Sequence, residues 1–597
     1  MINNRLYKIA NHNLKEGNYR LKSNLALITF MFLLVSFSNY AQEDNDLGTE
    51  VVNVVKPYTP TISDAFKVKE TPSLNDSINT NKKDVKYSIF SVPVASTFIP
   101  AKGKATDLQK ERAVKLYDNY ATLGFGNYTS VLAEFYTNFQ ISRTDNFGLF
   151  LRHNSSQGGI DNIRLDDKYY DTRLDGNYTS IQRDMSFSLQ AGIEHQVFNW
   201  YGFDGLFALT EDDFVNEQDV QQTYFSGYVG GDISLDDSFF EGGSATIRYL
   251  GDAYSSSEFN LKVAPKFSFP LTDFTLKIEG DIDYLMGTFK PNDYSVLDIK
   301  YSYLNLGINP SINYVNDDLT LSLGVGAYVS LDSENSETDF FLYPKINASY
   351  RLVDELLIAY GGVEGTLKQN SFYSFKEENP YIAPGVSIAP TSELYKGFVG
   401  LKGKLSNSVA YNVRASYGKE DNKALFRSIP PGGFPNTFED FSYGNFFVTR
   451  YDDINTLSVF GELQVKVSDN FSFGLNGTFY SYNTDNELEA WNLPQYEASV
   501  FSDFSITEKF YGGVSIFFVG ERKDLLIDAF EFFNTEASIV SLDSYIDANV
   551  HLGYKHNERL SFFVKGINLL GDDYQKWLNY PVLGIQAILG ATYKFDW

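Results

Sequence analysis

From about Asn119 to the end of the chain, apolar and polar residues alternate with a period of two, the spacing of a strand with one apolar and one polar face. Phe274, Leu276, Ile278, Ile282 and Tyr284 share one parity, with Thr275, Lys277, Glu279, Asp281 and Asp283 between them. Leu319, Leu321, Leu323, Val325, Ala327 and Val329 alternate with Thr320, Ser322, Gly324, Gly326 and Tyr328. Leu457 to Val467 and Phe471 to Phe479 repeat the pattern. These runs extend over roughly 10 to 16 residues, against a usual strand of about 5–6, and a soluble sandwich has little use for strands so long. The pattern predicts an all-β protein that meets lipid on one face of each strand.

The punctuation between the runs is equally regular. Tight polar turns stand at Arg143–Asn146, Arg183-Asp184, Asp236–Ser238, Thr272-Asp273 and Asn316–Asp318, then at Asp354-Glu355, Ser406–Ser408, Ser468–Asn470, Thr507–Lys509 and His556–Glu558. Between them lie connections of uneven length, among them Asn199–Val220, Asn370–Ala389, Lys419–Gly444 and Lys523–Glu536. Short turns alternating with long loops mark the periplasmic and extracellular ends of a membrane barrel. Ten short turns, with both chain ends on their side, require eleven hairpins. The expected fold is therefore a transmembrane antiparallel β-barrel of about 22 strands, with short periplasmic turns and long extracellular loops. A lumen that wide is too large for wall side chains to fill.

Composition removes several classes. With 49 Lys+Arg against 76 Asp+Glu the net charge is −27, which argues against nucleic acid as a partner, since that binding runs on clustered cations. Phe and Tyr, 50 and 42 of 597 residues, favour strands and membrane interfaces. The mean hydropathy of −0.25 suits a barrel, in which alternate residues stay wet. There is no cysteine, hence no disulfide, thiolate metal site or lipid-bearing cysteine.

At the N-terminus, Arg5, Lys8, Lys15, Arg20 and Lys22 precede the apolar run Leu25–Phe37 and the small-residue stretch ending at Ala41. This is the layout of a secretory signal peptide, residues 1–41, and the run is shorter than the roughly 20 residues of a spanning helix. Residues 42–116 are polar and broken by Pro57, Pro60, Pro72, Pro93 and Pro100, so they read as a periplasmic or lumenal arm. Residues 117–597 form the barrel.

At the C-terminus, Tyr593, Phe595 and Trp597 alternate up to the last residue. They close the barrel and resemble the C-terminal signal by which outer-membrane barrels are recognised for assembly. The stretch Lys565-Gly566-Ile567-Asn568-Leu569-Leu570-Gly571-Asp572-Asp573-Tyr574, followed by Tyr580-Pro581, Gly584, Gly590 and Tyr593-Lys594-Phe595, resembles the closing hairpin of TonB-dependent receptors. That resemblance implies an exported protein of the bacterial outer membrane with a transport or channel role. The family also places a folded plug in the lumen, of roughly 130 residues or more, for which residues 42–116 are too few. Glu50, Val51, Val52, Asn53, Val54 and Val55 resemble a TonB box, a short strand that pairs with an energy-coupling protein by edge addition. Ser88–Pro100 is apolar enough to act as a small stopper. The lumen must then be filled by this arm, by inward-folded long loops, or by a partner.

No enzyme constellation stands out, and no cofactor or metal site is expected. His195 shares the parity of Leu189, Ala191 and Ile193, which places it on the outer rim; His153, His551 and His556 fall in or near strand ends. Glu211-Asp212-Asp213 and Asp332-Ser333-Glu334 lack the spacing of a calcium loop, and Pro430–Gly433 lacks the Lys-Ser/Thr of a phosphate cradle. The expected partners are outer-membrane lipid and the barrel-assembly machinery, with a TonB-type energy coupler or an outer-membrane or periplasmic protein as further candidates. The competing function is that of a non-transporting structural or assembly partner in an outer-membrane complex.

Overall fold

Each alternating run becomes a strand hydrogen-bonded to its neighbours in chain order, and the first strand, Asn119–Gly126, pairs antiparallel with the last, Gln586–Phe595, from Asn119↔Phe595 to Gly126↔Ile588. The sheet has 22 strands and closes on itself, so no edge is left unpaired. The computed structural model of the protein describes residues 117–161, 163–202, 219–272, 274–290, 297–429, 445–527 and 537–597.

Closure assigns the two faces. Leu323 is 47% exposed and Val229 64% exposed on the outside of the wall, and Leu323 lies between Ile312 and Ile346 of the adjacent strands. An apolar band of this kind is the surface that lipid covers. The opposite parity points into the lumen and is tied by cross-strand polar contacts. Asn260 Nδ2 donates to Asp283 Oδ1 at 2.7 Å, Tyr360 OH to Asn412 Oδ1 at 2.6 Å, and Thr122 and Thr592 share a hydrogen bond of 2.8 Å.

The turns read from the sequence join strands at one end of the barrel, the end that also carries Asn119 and Phe595. Asn316–Asp318, for example, links Ile299–Val315 to Leu319–Asp332. Strand length departs from expectation. It ranges from 8 residues at Asn119–Gly126 to 22 at Phe447–Ser468. Since the chain has no cysteine, single cysteines report sidedness cleanly. A cysteine at Asn335, exposed in a loop-end turn, is expected to react with an impermeant maleimide on intact cells. One at Asp317, exposed at the turn end, is expected to react only after lysis; labelling of both on intact cells would overturn this topology.

A larger correction concerns Asn370–Ala389. The sequence places it among the extracellular loops, and it does leave the wall at the loop end. It then folds inward across the mouth. Phe372, Phe375, Ile382, Val386 and Ile388 are all buried, and a solvated loop would have left these side chains in water.

Candidate functional site: the barrel mouth

The inward segment contains one helix, α1 (Phe372–Glu378), whose ends are fixed locally. Ser371 and Ser374 form a reciprocal capping box, each side chain accepting the other's backbone N–H at 3.0 Å, which satisfies donors a short helix otherwise leaves bare. Asn379 caps the other end by donating its N–H to Phe375 O at 2.8 Å, and Pro380 cannot continue the helix.

The wall adds a second cap. Glu258, 3% exposed at the top of strand Ser257–Pro270, accepts from Phe372 N at 2.6 Å, Tyr373 N at 3.0 Å and Tyr301 OH at 2.8 Å. A carboxylate at this position also complements the positive end of the helix. Four residues further on, Lys376 has a side chain with 0% exposure. Its Nζ lies 3.3 Å from Glu194 Oε2 and 2.5 Å from Glu377 Oε1, donates to Gln196 Oε1, and sits 4.6 Å from the centre of the Tyr373 ring. Ser226 Oγ donates to the same Glu194 oxygen at 3.0 Å. A buried ammonium is tolerated only where opposite charge and acceptors surround it. Those groups form a polar latch between helix and wall.

Apolar contacts complete the seal. The Phe372 ring meets Phe289 edge-on at 5.0 Å and Tyr224 at 6.0 Å, while Phe375 meets Phe426 at 5.4 Å. Tyr224 belongs to the sixth strand, Gln221–Leu235, and Phe426 to the fifteenth, Val409–Ser428. In a ring of 22 these walls stand nearly opposite one another, so the helix bridges the mouth. Beyond it, Tyr381 stacks on Tyr580 at 3.6 Å, and Trp577 packs against Phe426 and Phe447 at 5.7 and 5.3 Å. Burial pushes the Tyr381 phenol up to about 12. It therefore stays neutral and shares a hydrogen bond of 3.1 Å with the Tyr201 hydroxyl. A surface hairpin, Arg522–Ile527 with Ala537–Leu542, is pinned nearby through Asp524, which accepts from Ser428 N, Leu525 N and Asn492 Nδ2 at 2.8–3.0 Å. Burial holds that carboxyl above its ordinary range despite these donors.

Immediately on the turn side of α1, the wall carries a cavity of about 280 Å³ lined by Arg173, Glu194, Ser226, Tyr228, Arg248 and Tyr373, among others. Gly192 makes room for it, since a Cβ there would stand 2.5 Å from both the Tyr228 ring and Asp175 Oδ1. Below the helix the described residues supply only wall strands and turns.

No family model matches the chain, and no curated protein matches it. Solved structures do. The receptor FpvA of Pseudomonas aeruginosa, in complex with a pyoverdine and iron, superposes with a TM-score of 0.59 at 11% identity over 80% of this chain and 72% of its own. The FrpB iron transporter of Neisseria meningitidis gives 0.59 at 11% identity over 81% and 82%. The ferric-catecholate import receptor Fiu of E. coli K12 gives 0.57 at 11% identity over 80% and 82%. The chain shares its barrel fold with these three proteins. At this identity the likeness is one of fold.

Against that barrel the sequence-derived sites can be placed. Tyr593, Phe595 and Trp597 lie together at the turn end of the seam, with ring centres 6.1 Å apart for the first pair and 5.3 Å for the second. Trp597, 75% exposed, stacks on Phe139 at 5.8 Å, and its Nε1 donates to Thr137 Oγ1 at 3.0 Å. The chain end is thereby stitched across the first strand to the second. Glu50–Val55, Ser88–Pro100, Glu211–Asp213 and Pro430–Gly433 lie outside the described residues. His195 faces outward near the rim, 4.6 Å from Phe225, and His153 bonds Thr172 Oγ1 at 2.7 Å. His551 stands mid-strand opposite Gly513 rather than at a strand end. Asp332 closes its own turn, accepting from Glu334 N and Asn335 N at 3.0 and 3.1 Å.

Sequence reading missed the latch: Glu194, Glu258 and Lys376 match no motif. One signal was available. Asp281 and Asp283 on the lumen parity give way to Leu285 and Phe289, and Thr246 and Arg248 give way to Leu250. Apolar residues that appear on a polar parity only near strand tops announce something packed inside the mouth.

Proposed function

We propose that this chain is a transport protein of the bacterial outer membrane, of channel type, whose mouth is closed by its own segment 371–388 acting as a gate. The observation that carries this reading is the polar latch. Lys376, Glu194 and Glu258 hold α1 to the wall through buried charge and hydrogen bonds, groups that water can satisfy equally well once the segment lifts. A permanent seal gains nothing from such groups over apolar packing of the same volume. The likeness in fold to an iron transporter and an import receptor supports the same role. In this reading residues 42–116, outside the described residues, are a periplasmic or lumenal arm. Glu50–Val55 is its candidate contact with an energy coupler, and Tyr593, Phe595 and Trp597 engage the assembly machinery.

The gate can be removed without disturbing the wall, because Asn370 Nδ2 donates to Ala389 O at 2.8 Å and the ends of the segment already touch. Full-length protein with residues 371–388 replaced by two glycines should show stable, large single-channel conductance in a planar bilayer, against a mostly closed parent. The aromatic packing of Trp577, Tyr580 and Phe426 favours a second reading, a sealed scaffold for an outer-membrane complex. A gate-deleted barrel that folds and conducts no ions would establish that reading in place of transport.

A further inference from the structure

The cavity under α1 shares Glu194, Ser226 and Tyr373 with the latch, and its charge arrangement is specific. Five of its groups come from four consecutive strands: Arg173 from Tyr169–Ile181, Glu194 from Met185–Asn199, Ser226 and Tyr228 from Gln221–Leu235, and Arg248 from Phe240–Asp252. Strand register aligns them in two rows, Arg173↔Glu194↔Ser226 and Tyr228↔Arg248. The sixth group, Tyr373, descends from the gate.

The carboxylates around the cavity are already engaged: Glu258, on which the Arg248 charge acts, accepts from Phe372 N, Tyr373 N and Tyr301 OH. Glu194 takes Lys376 and Ser226, while Asp175 takes Arg173 Nε at 2.7 Å and Tyr228 OH at 2.7 Å. Arg248 differs: among the described residues it forms no salt bridge. Its guanidinium stands 4.0 Å from the centre of the Tyr373 ring and 6.0 Å from that of Tyr228, and the Arg173 guanidinium lies 6.0 Å from the same Tyr228 ring. An arginine held by aromatic faces is fixed in orientation with its N–H edge free, the arrangement that binds a planar oxyanion through two parallel hydrogen bonds. A volume of about 280 Å³ admits a small molecule or one end of a larger one.

We propose that this cavity is an oxyanion-binding site, with Arg248 as the bidentate donor and Arg173 as the flanking charge, and that it receives a carboxylate or phosphate group of a solute in the lumen. The proposal deepens the gated-transport reading by naming a solute class. It places the site directly against the gate, since Tyr373 rides on α1. Occupancy of the site and position of the gate are thereby linked, because the arginine that would hold the oxyanion is itself held by the Tyr373 ring of the gate.

The test needs no transport, so its failure is separable from failure of the gate. Full-length protein in detergent is titrated by equilibrium dialysis with benzoate, with inorganic phosphate, and with benzamidine as the cationic counterpart of benzoate. Saturable binding of benzoate or of phosphate is expected, and the arm that saturates names the class. Benzamidine should not bind. Arg248→Gln should weaken binding at least tenfold. Arg248→Lys, which keeps charge and loses the fork, should fall between. Arg173→Gln, three strands away from Arg248, should weaken it several-fold in a barrel whose gate contacts are untouched, and Arg414→Gln on the far wall should change nothing. The proposal is overturned if neither oxyanion saturates, if benzamidine binds as well as benzoate, or if heat-modifiable, folded Arg248→Gln and Arg173→Gln proteins both bind like the parent.

Discussion

Lys376→Ala is expected to raise the open fraction of the barrel by about two to four orders of magnitude. The Lys376 side chain is fully buried, and its ammonium answers Glu194 from within α1. Removing one member of a buried pair strands the other, at about 3–5 kcal/mol, and every 1.36 kcal/mol is roughly a factor of ten in a population. Glu194 recovers its solvation only if water reaches it, and water reaches it only if the segment lifts. The penalty therefore falls on the closed state. Single-channel recording should show long openings in place of rare ones, and cells carrying the variant should become sensitive to large antibiotics at matched barrel levels. The double variant Lys376→Met with Glu194→Gln should close again, because removing both leaves no buried charge stranded and Ser226 can still donate to the amide oxygen. A Lys376→Ala protein indistinguishable from the parent in conductance would show that the aromatic seal alone holds the mouth, and the latch would lose its role.

Leu323→Arg should cut the yield of folded barrel sharply, while Ser322→Arg one residue away should be tolerated. Leu323 is half exposed on the lipid side, between Ile312 and Ile346, and a charge near the bilayer midplane on that face costs about 2–4 kcal/mol. Ser322 has the opposite parity, between Asn313 and Asn347, where an arginine projects into a wide wet lumen. The measurement is the heat-modifiable fraction on unboiled gels after refolding into lipid vesicles. Equal losses from the two substitutions would reverse the assignment of faces. The prediction isolates the bilayer as cause, since the substitutions share a strand, a turn and a neighbourhood.

The wall was legible in the sequence because its physics is local. A strand that separates lipid from water must alternate residue by residue, as Leu319–Val329 does, and a short turn must be polar, as Asn316–Asp318 is. Local rules, repeated along the chain, fix the number of strands and their order. The seam between Asn119 and Phe595 follows from them, since an open edge in lipid is forbidden. The mouth follows no such rule. Lys376 and Glu194 are 182 positions apart, Phe372 and Glu258 are 114 apart, and nothing in either neighbourhood names the other. Phe372, Phe375 and Ile382 disclose that segment 371–388 needs cover, yet not whether the cover is a partner, a folded arm or the inside of the barrel. That choice depends on the wall's own lumen residues, Tyr224, Leu250, Leu285 and Phe289, which closure of the ring brings beneath the loop. Alternation along the chain determined that there is a barrel. Only the tertiary structure decided what stands in its mouth, because a buried charge and the carboxylate that satisfies it meet through closure of the ring rather than through proximity in sequence.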